Sequence, residues 1–433
     1  MAGNRALKRA APRAISPPPL RRKVDPLKKS VETSFFTPVS QRKPESTSIS
    51  WRIVNNTLLV GKFALSPNQP TRQSSDKPKI AAFDFDSTLV VTASGKKFPD
   101  SSTDWKWWNK SVPSRLQKLN ADGYHVAIFT NQSKISLKKD KKGNVSRSLG
   151  NFKERVSAVM KQLDIPLSVY AATELDEYRK PRAGMWREFL DDYDYDVTGI
   201  DSSESIFVGD AAGRPGDHSA ADRGFAANVN ITFKTPEEFF LGSAPEPVAF
   251  DLSVYLQPNS VDDASPPFSR KSPLELVIFC GSPGAGKSTF FWDYLKPLGY
   301  ERVNQDILKS RMKCIKAAKE HLAAKRSVVV DNTNADVDTR AQWFEVAKEF
   351  NVPIRCVYFT APPALCKHNN AVRAANRSLN PESRTLLPGI AFGDFARRFE
   401  EPTLAEGFQD ILRVDFRFRG DENARGLWKQ YWV

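Results

Sequence analysis

Six short runs of apolar and β-branched residues limit what this chain can become: Ile80–Phe83, His125–Phe129, Ser205–Val208, Leu276–Phe279, Ser327–Val330 and Cys356–Phe359. Helix-length amphipathic stretches separate them. Such runs read as strands buried on both faces, and their alternation with helices predicts parallel sheets covered on both sides. The expected class is therefore α/β. Catalytic groups in such folds gather beyond the carboxyl ends of the strands. A chain of 433 residues exceeds one ordinary core, so two domains are expected. Turn residues in Gln257-Pro258-Asn259-Ser260 and Ser265-Pro266-Pro267 mark the break. The expected division is a disordered basic tail (1–48), a first domain (49–256), a linker (257–273) and a second domain (274–433).

The first run ends in Asp84-Phe85-Asp86-Ser87-Thr88. Residues i and i+2 of an extended segment share a side, so Asp84 and Asp86 converge. Two close carboxylates call for a cation, and Mg²⁺ is expected. A carboxylate nucleophile forms an aspartyl-phosphate, and its neighbour can protonate the leaving oxygen. Thr130, Lys180 and Asp210 each follow in a suitable place. Thr130 offers a hydroxyl to phosphate oxygens, Lys180 neutralises the transferred group, and Asp210 ends a strand and can hold the metal. Asp222 either helps order the metal shell or pairs with Arg223 or Arg214. The order of these residues resembles the haloacid-dehalogenase-like phosphatases over residues 78–242. The gaps Asp84–Thr130 and Thr130–Lys180 leave no room for a large cap domain, so an open site admitting a polymer end is expected. The run Lys138–Lys142 reads either as a backbone-phosphate contact or as a solvated face. Trp105, Trp107 and Trp108 read either as packing or as a base-stacking surface.

The strand run Leu276–Phe279 leads into Gly281-Ser282-Pro283-Gly284-Ala285-Gly286-Lys287-Ser288-Thr289 and then a helical start, the context of a nucleotide-binding P-loop. Its amides would cradle ATP phosphates, Lys287 would reach the terminal ones, and Ser288 would ligate Mg²⁺. Asp306 narrows this to a hydroxyl kinase, since a carboxylate there can take the acceptor's proton. Its plainer reading is a helix N-cap. Asp331 is placed as a strand-end acid, and Arg373 and Arg377 as lid arginines on the transferred phosphate.

Net charge is +14, and residues 1–50 hold eleven Lys and Arg against three Asp and Glu. A basic tail on a mildly basic body suits a polyanionic partner. Lys8-Arg9 and Arg21-Arg22-Lys23 have the layout of a two-part nuclear signal, with a mitochondrial presequence as the rival. No apolar run approaches the ~18 residues of a membrane span. The four scattered cysteines suggest neither a zinc site nor a disulfide framework.

Together the two motif sets resemble the eukaryotic polynucleotide kinase 3′-phosphatases over residues 50–433. The resemblance rests on Ile128–Gln132, Tyr178–Pro181, Val208–Pro215, Thr235–Phe240 and Pro402–Phe408, and on the phosphatase-first order. It implies Asp84 as nucleophile, Asp86 as acid/base, and Mg²⁺ at Asp84 and Asp210, with Asp86 counted among the metal residues. It further implies a 3′-phosphate held by Thr130, Lys180, Asn131 and Arg182, and a 5′-hydroxyl activated by Asp306. The implied partners are DNA ends and ATP, with other strand-break repair proteins meeting the tail. A monomer acting in nuclear DNA repair is expected. Two features depart from the family. The 48-residue tail is too short for the forkhead-associated domain of animal members. Lys309 stands where the phage relative has an acceptor-contacting arginine. An RNA-end healing enzyme, a metabolite kinase/phosphatase and an inactive DNA-end scaffold are the other readings.

Overall fold

A computed structural model describes residues 49–64, 77–138, 145–247, 250–256 and 268–432. The basic tail, residues 139–144 and linker residues 257–267 lie outside the described residues.

The strands in chain order are β1 (Ile49–Val54), β2 (Leu58–Phe63), β3 (Lys79–Phe83), β4 (Val90–Val91), β5 (Lys106–Trp107), β6 (Tyr124–Asn131), β7 (Leu167–Ala172), β8 (Ile206–Val208) and β9 (Thr232–Lys234), then β10 (Leu276–Cys280), β11 (Glu301–Val303), β12 (Val328–Val330), β13 (Ile354–Phe359) and β14 (Ile411–Val414). The first sheet has the order β1-β2-β7-β6-β3-β8-β9 and the second β11-β12-β10-β13-β14; β4 and β5 form a separate hairpin. The second sheet is parallel throughout. The first is parallel from β7 to β9, as the strand runs predict, but β1 and β2 add an antiparallel edge. That edge follows from a two-residue turn, Asn55-Asn56, with both φ positive.

Each central strand serves two cores. In β3, Ala81 and Phe83 face one apolar cluster while Ile80 and Ala82 face the other. In β10, Val277 and Phe279 divide from Leu276, Ile278 and Cys280 in the same way. This period-2 split fixes register, because a one-residue slip would exchange every side chain between layers. Emptying one such position, as in Phe83→Ala, costs about 3–5 kcal/mol.

The helix Arg147–Leu163 shows how a covering layer also serves a site. Ser146 caps it by accepting the Leu149 amide, and Asp164 ends it in the left-handed conformation. Its buried stripe runs Leu149, Phe152, Val156, Val159, Met160 and Leu163, with Arg155 as the polar member.

Two groups of apolar residues find their cores. Phe250, Leu252, Tyr255 and Leu256 pack in the second core, and so does Phe268. The second unit thus gathers residues on both sides of the expected linker, because they carry the apolar surface that closes it. Trp105, Trp107 and Trp108 pack against the first core, and Trp107 Nε1 also donates to Gln162 at 3.2 Å. They serve as packing for the β4–β5 hairpin.

Candidate active sites

At the carboxyl end of the first sheet Lys180 is the hub. Its Nζ lies 2.7 Å from Asp84 Oδ1 and 2.6 Å from Asp222 Oδ1, and it is buried. Burial would lower its pKa, but Asp222 and Asp84 outweigh that and raise it, so the ammonium is retained. Asp84 is held at the strand tip by its amide bond to the Val208 carbonyl, 2.8 Å. One oxygen from each of Asp84, Asp210 and Asp222 falls within 4.8 Å of the others. Burial, then the Asp222 charge, pushes Asp210 up to about 6. Burial likewise pushes Asp84 upward, Lys180 opposes it, and Asp222 and Asp210 add to it. One ammonium does not balance three carboxylates, so the set fits a divalent cation.

Asp222 gets there because Gly209 is a glycine. A Cβ on Gly209 would lie 2.3 Å from Asp222 Oδ2. That oxygen accepts the Ala211 amide at 3.0 Å, which locks the helix Ala221–Asn228 onto the strand end. Asp222 therefore pairs with Lys180 rather than with Arg223 or Arg214. Arg223 donates to the Ala212 carbonyl, and Arg214 pairs with Asp217. Thr88 donates its hydroxyl toward Asp210 at 3.4 Å and accepts the Asp210 amide at 3.1 Å.

Asp86 stands apart from the acidic cluster. Its carboxylate accepts from Arg155 Nη1 at 2.7 Å and from Gln132 Nε2 at 2.6 Å. The three carboxylates that share one cation-sized gap do not include it, and its oxygens face Arg155 and Gln132. Gln132 also donates to the buried Thr130 hydroxyl at 3.1 Å. Asn131 turns to the Lys180 segment. Its side chain grips the Lys180 main chain from both sides, donating to the carbonyl at 3.1 Å and accepting the amide at 2.9 Å. Arg182 Nη1 donates to the Leu175 and Asp176 carbonyls at 3.3 and 2.6 Å. Arg155 and Gln132 were not foreseen. Only Arg155's place inside an apolar stripe hinted at a buried partner.

The second site is a pocket of about 790 Å³ lined by Pro283–Thr289, Asp306, Asp331, Arg373, Arg384 and an aromatic wall. Gly284 has φ +81°, and a Cβ there would meet the Cys366 carbonyl at 2.3 Å, so the loop path demands glycine. Lys287 Nζ donates to the Gly281 and Ser282 carbonyls at 2.8 and 2.7 Å. Burial lowers its pKa, and Asp331 opposes that. The Ser288 hydroxyl donates to Asp331 Oδ2 at 2.9 Å, and Arg302 neutralises the same carboxylate at 2.5 Å. Ser288 and Asp331 together suit a P-loop cation.

Asp306 is not the N-cap. Asn304 caps the turn Gln305–Leu308 by accepting the Asp306 and Ile307 amides. The Asp306 carboxylate is left 73% exposed, open to a large acceptor, and pairs with Arg384 Nη1 at 2.8 Å. Arg384 also reaches Ser288 Oγ at 3.2 Å and Glu382 at 2.7 Å. Burial would raise the Glu382 pKa, but bonds from Arg302, Trp292 and Arg384 hold it near 2. Arg373 lines the pocket with Nη2 on Asn370 at 3.2 Å and a buried Nε that no protein group accepts. Arg377 is not among the lining residues, and Arg384 holds the position expected of a second lid arginine. Lys309 has φ +68° and donates to the Asp306 carbonyl at 2.6 Å, so it braces the base from behind. Phe416 and Phe418 both stack on Trp428 to form the aromatic wall. Its signal in the sequence is the alternation Phe416-Arg417-Phe418-Arg419.

Fold and sites define an enzyme class: a phosphatase of the haloacid-dehalogenase type joined to a P-loop kinase. The "Polynucleotide kinase 3 phosphatase" family matches residues 79–240, and an "AAA domain" family matches 276–316 and 313–402. The chain is 42% identical over 391 residues to the bifunctional polynucleotide phosphatase/kinase of Schizosaccharomyces pombe, covering 89% of each chain. It is 37% identical to the polynucleotide 3′-phosphatase of Arabidopsis thaliana, over 40% of this chain and 25% of that one. It is 25% identical to the polynucleotide 3′-phosphatase of Saccharomyces cerevisiae, over 43% of this chain and 98% of that one. The chain belongs to the bifunctional polynucleotide phosphatase/kinase family. Among the described residues no helix is long and apolar enough to cross a membrane.

Proposed function

We propose that this enzyme converts 3′-phosphate and 5′-hydroxyl termini of broken DNA into the 3′-hydroxyl and 5′-phosphate ends that a ligase joins. The observation that carries this is the kinase pocket, where the P-loop and the exposed Asp306 carboxylate share one cavity.

In the phosphatase, Asp84 attacks the 3′-phosphate and forms an aspartyl-phosphate as the bond to the 3′-oxygen breaks. Asp86, steered by Arg155 and Gln132, protonates that oxygen. It then takes a proton from the water that releases inorganic phosphate. Lys180 and Thr130 bind the phosphate oxygens. Asp84 and Asp210, with Asp222, are the residues that would hold Mg²⁺, which when bound neutralises phosphoryl charge.

In the kinase, the 5′-hydroxyl attacks the γ-phosphorus of ATP. Asp306 takes its proton and ADP leaves. Lys287, Arg373 and Arg384 meet the charge that spreads over the transferred group. Ser288, supported by Asp331, would hold the second Mg²⁺.

The two-part basic clusters of the tail support a nuclear site of action, with a monomer as the working form. The unit boundaries follow the two cores, with residues 250–256 and 268–273 assigned to the kinase. A nicked duplex with 3′-phosphate and 5′-hydroxyl ends tests the proposal. Asp84→Ala is expected to abolish only 3′-phosphate release, and Lys287→Ala only 5′-phosphorylation. Loss of both activities in either folded variant, or a strong preference for matched RNA ends, would overturn it.

A further inference from the structure

Tyr431 and Trp432 pack against the kinase core, and the main chain of Tyr431 also meets the phosphatase helix that carries Asp222. Asn228, at the end of the helix Ala221–Asn228, accepts the Tyr431 amide through Oδ1 at 2.9 Å. Its Nδ2 donates to the Tyr431 carbonyl at 2.8 Å and to the Pro181 carbonyl at 2.8 Å. Three strands of chain are thus tied by one amide. The packing beneath it is tight. A Cβ on Gly224 of the same helix would lie 2.9 Å from Tyr431 Cβ and 3.0 Å from Pro181 Cβ.

Pro181 follows Lys180, the hub between Asp84 and Asp222. Asp222 sits in the first turn of the helix that ends at Asn228. The clamped helix therefore touches the Lys180–Pro181 segment twice, through Asp222 on the Lys180 side chain and through Asn228 on the Pro181 carbonyl. Asn131 holds the Lys180 main chain from the opposite side. Without Tyr431, the Pro181 carbonyl keeps one donor, but that donor loses its own brace.

We infer that Tyr431, acting through Asn228, is a positioning residue of the phosphatase: the kinase's C-terminal segment fixes the Lys180–Pro181 segment against the helix that carries Asp222. The inference rests on Asp84 being the phosphatase nucleophile. The clamp contacts run through the main chain and Cβ of Tyr431, while its ring packs against the kinase core. An ammonium that must meet both nucleophile and phosphoryl group loses effect when its segment drifts, since displacements near 1 Å cost up to about 10²-fold.

The test uses the full chain and a 3′-phosphate oligonucleotide, with 5′-kinase activity of the same preparation as the folding control. Asn228→Ala should lower phosphatase kcat about tenfold, leaving KM within about twofold and kinase activity intact; removal of Tyr431–Val433, which also strips two side chains from the kinase core, should lower phosphatase kcat by a similar factor. The double variant should lose no more than either single one, because both open the same clamp. Gly224→Ala, which displaces Tyr431 through its new methyl, carries the test if the truncated chain does not fold. Unchanged phosphatase kcat, or losses that multiply in the double variant, would overturn the inference. Asp84→Asn run alongside separates the two levels. If it stays active, the nucleophile assignment itself has failed.

Discussion

His368 gives the kinase a measurable acid sensitivity. It is 1% exposed, its Nε2 donates to the Trp428 carbonyl at 2.9 Å, and its ring meets the Trp428 ring edge-on at 4.9 Å. Burial lowers its pKa from 6.5 to about 4, and the bond to Trp428 offsets this only in part. The folded imidazole is therefore neutral down to about pH 4, while the unfolded one takes a proton near pH 6.5. Between those values the unfolded chain binds more protons, so stability falls as pH falls. The linkage amounts to about 2 kcal/mol at pH 5 and about 3 kcal/mol below pH 4. His368→Gln keeps an N–H for the Trp428 carbonyl and cannot titrate. Urea denaturation of both proteins at about pH 7.5 and about pH 5 isolates the effect, because titrations shared by the two chains cancel. The lost ring contact costs the variant equally at both values. The variant should gain about 2 kcal/mol relative to the parent on going to the lower pH. A stability difference that does not change with pH would refute the reasoning.

Two further outcomes follow from the sites. Gly209→Ala should lower 3′-phosphatase turnover at least about tenfold and cost about 1–3 kcal/mol in thermal or urea unfolding, because the added methyl drives Asp222 off Lys180; kinase assays of the same sample should be unaffected. Arg384→Ala should lower kinase kcat by about 10²–10³, whereas Arg377→Ala should change it little, as steady-state phosphorylation of a 5′-hydroxyl oligonucleotide will report.

The central architecture was legible because buried parallel strands leave short apolar runs that end in their own chemistry. Asp84, Thr130 and Asp210 lie at such ends, whereas Lys180, Lys287 and Asp306 sit in the loops and helix starts that follow a strand. The antiparallel edge was harder to see, since β1 alternates burial weakly and its turn is carried by two asparagines. Arg155, Gln132 and Arg384 were missed for a different reason. Each is defined by what it meets across the fold, Asp86 from 69 and 46 residues away and Asp306 from 78, and local spacing carries no record of that. Asn131 and Arg182 were read as phosphate ligands from the family resemblance. Their nearest hydrogen-bonding groups turned out to be main chain. The same limit applied to Asp86, where alternation placed it beside Asp84 but could not reveal the two donors that draw it aside.

The pairing of Arg384 with Asp306 joins residues 78 apart in the chain, and the same guanidinium reaches the P-loop hydroxyl of Ser288. One side chain thus fastens the turn that carries Asp306 to the loop that begins the helix Lys287–Phe290, so a change at Arg384 is felt on both walls of the pocket at once.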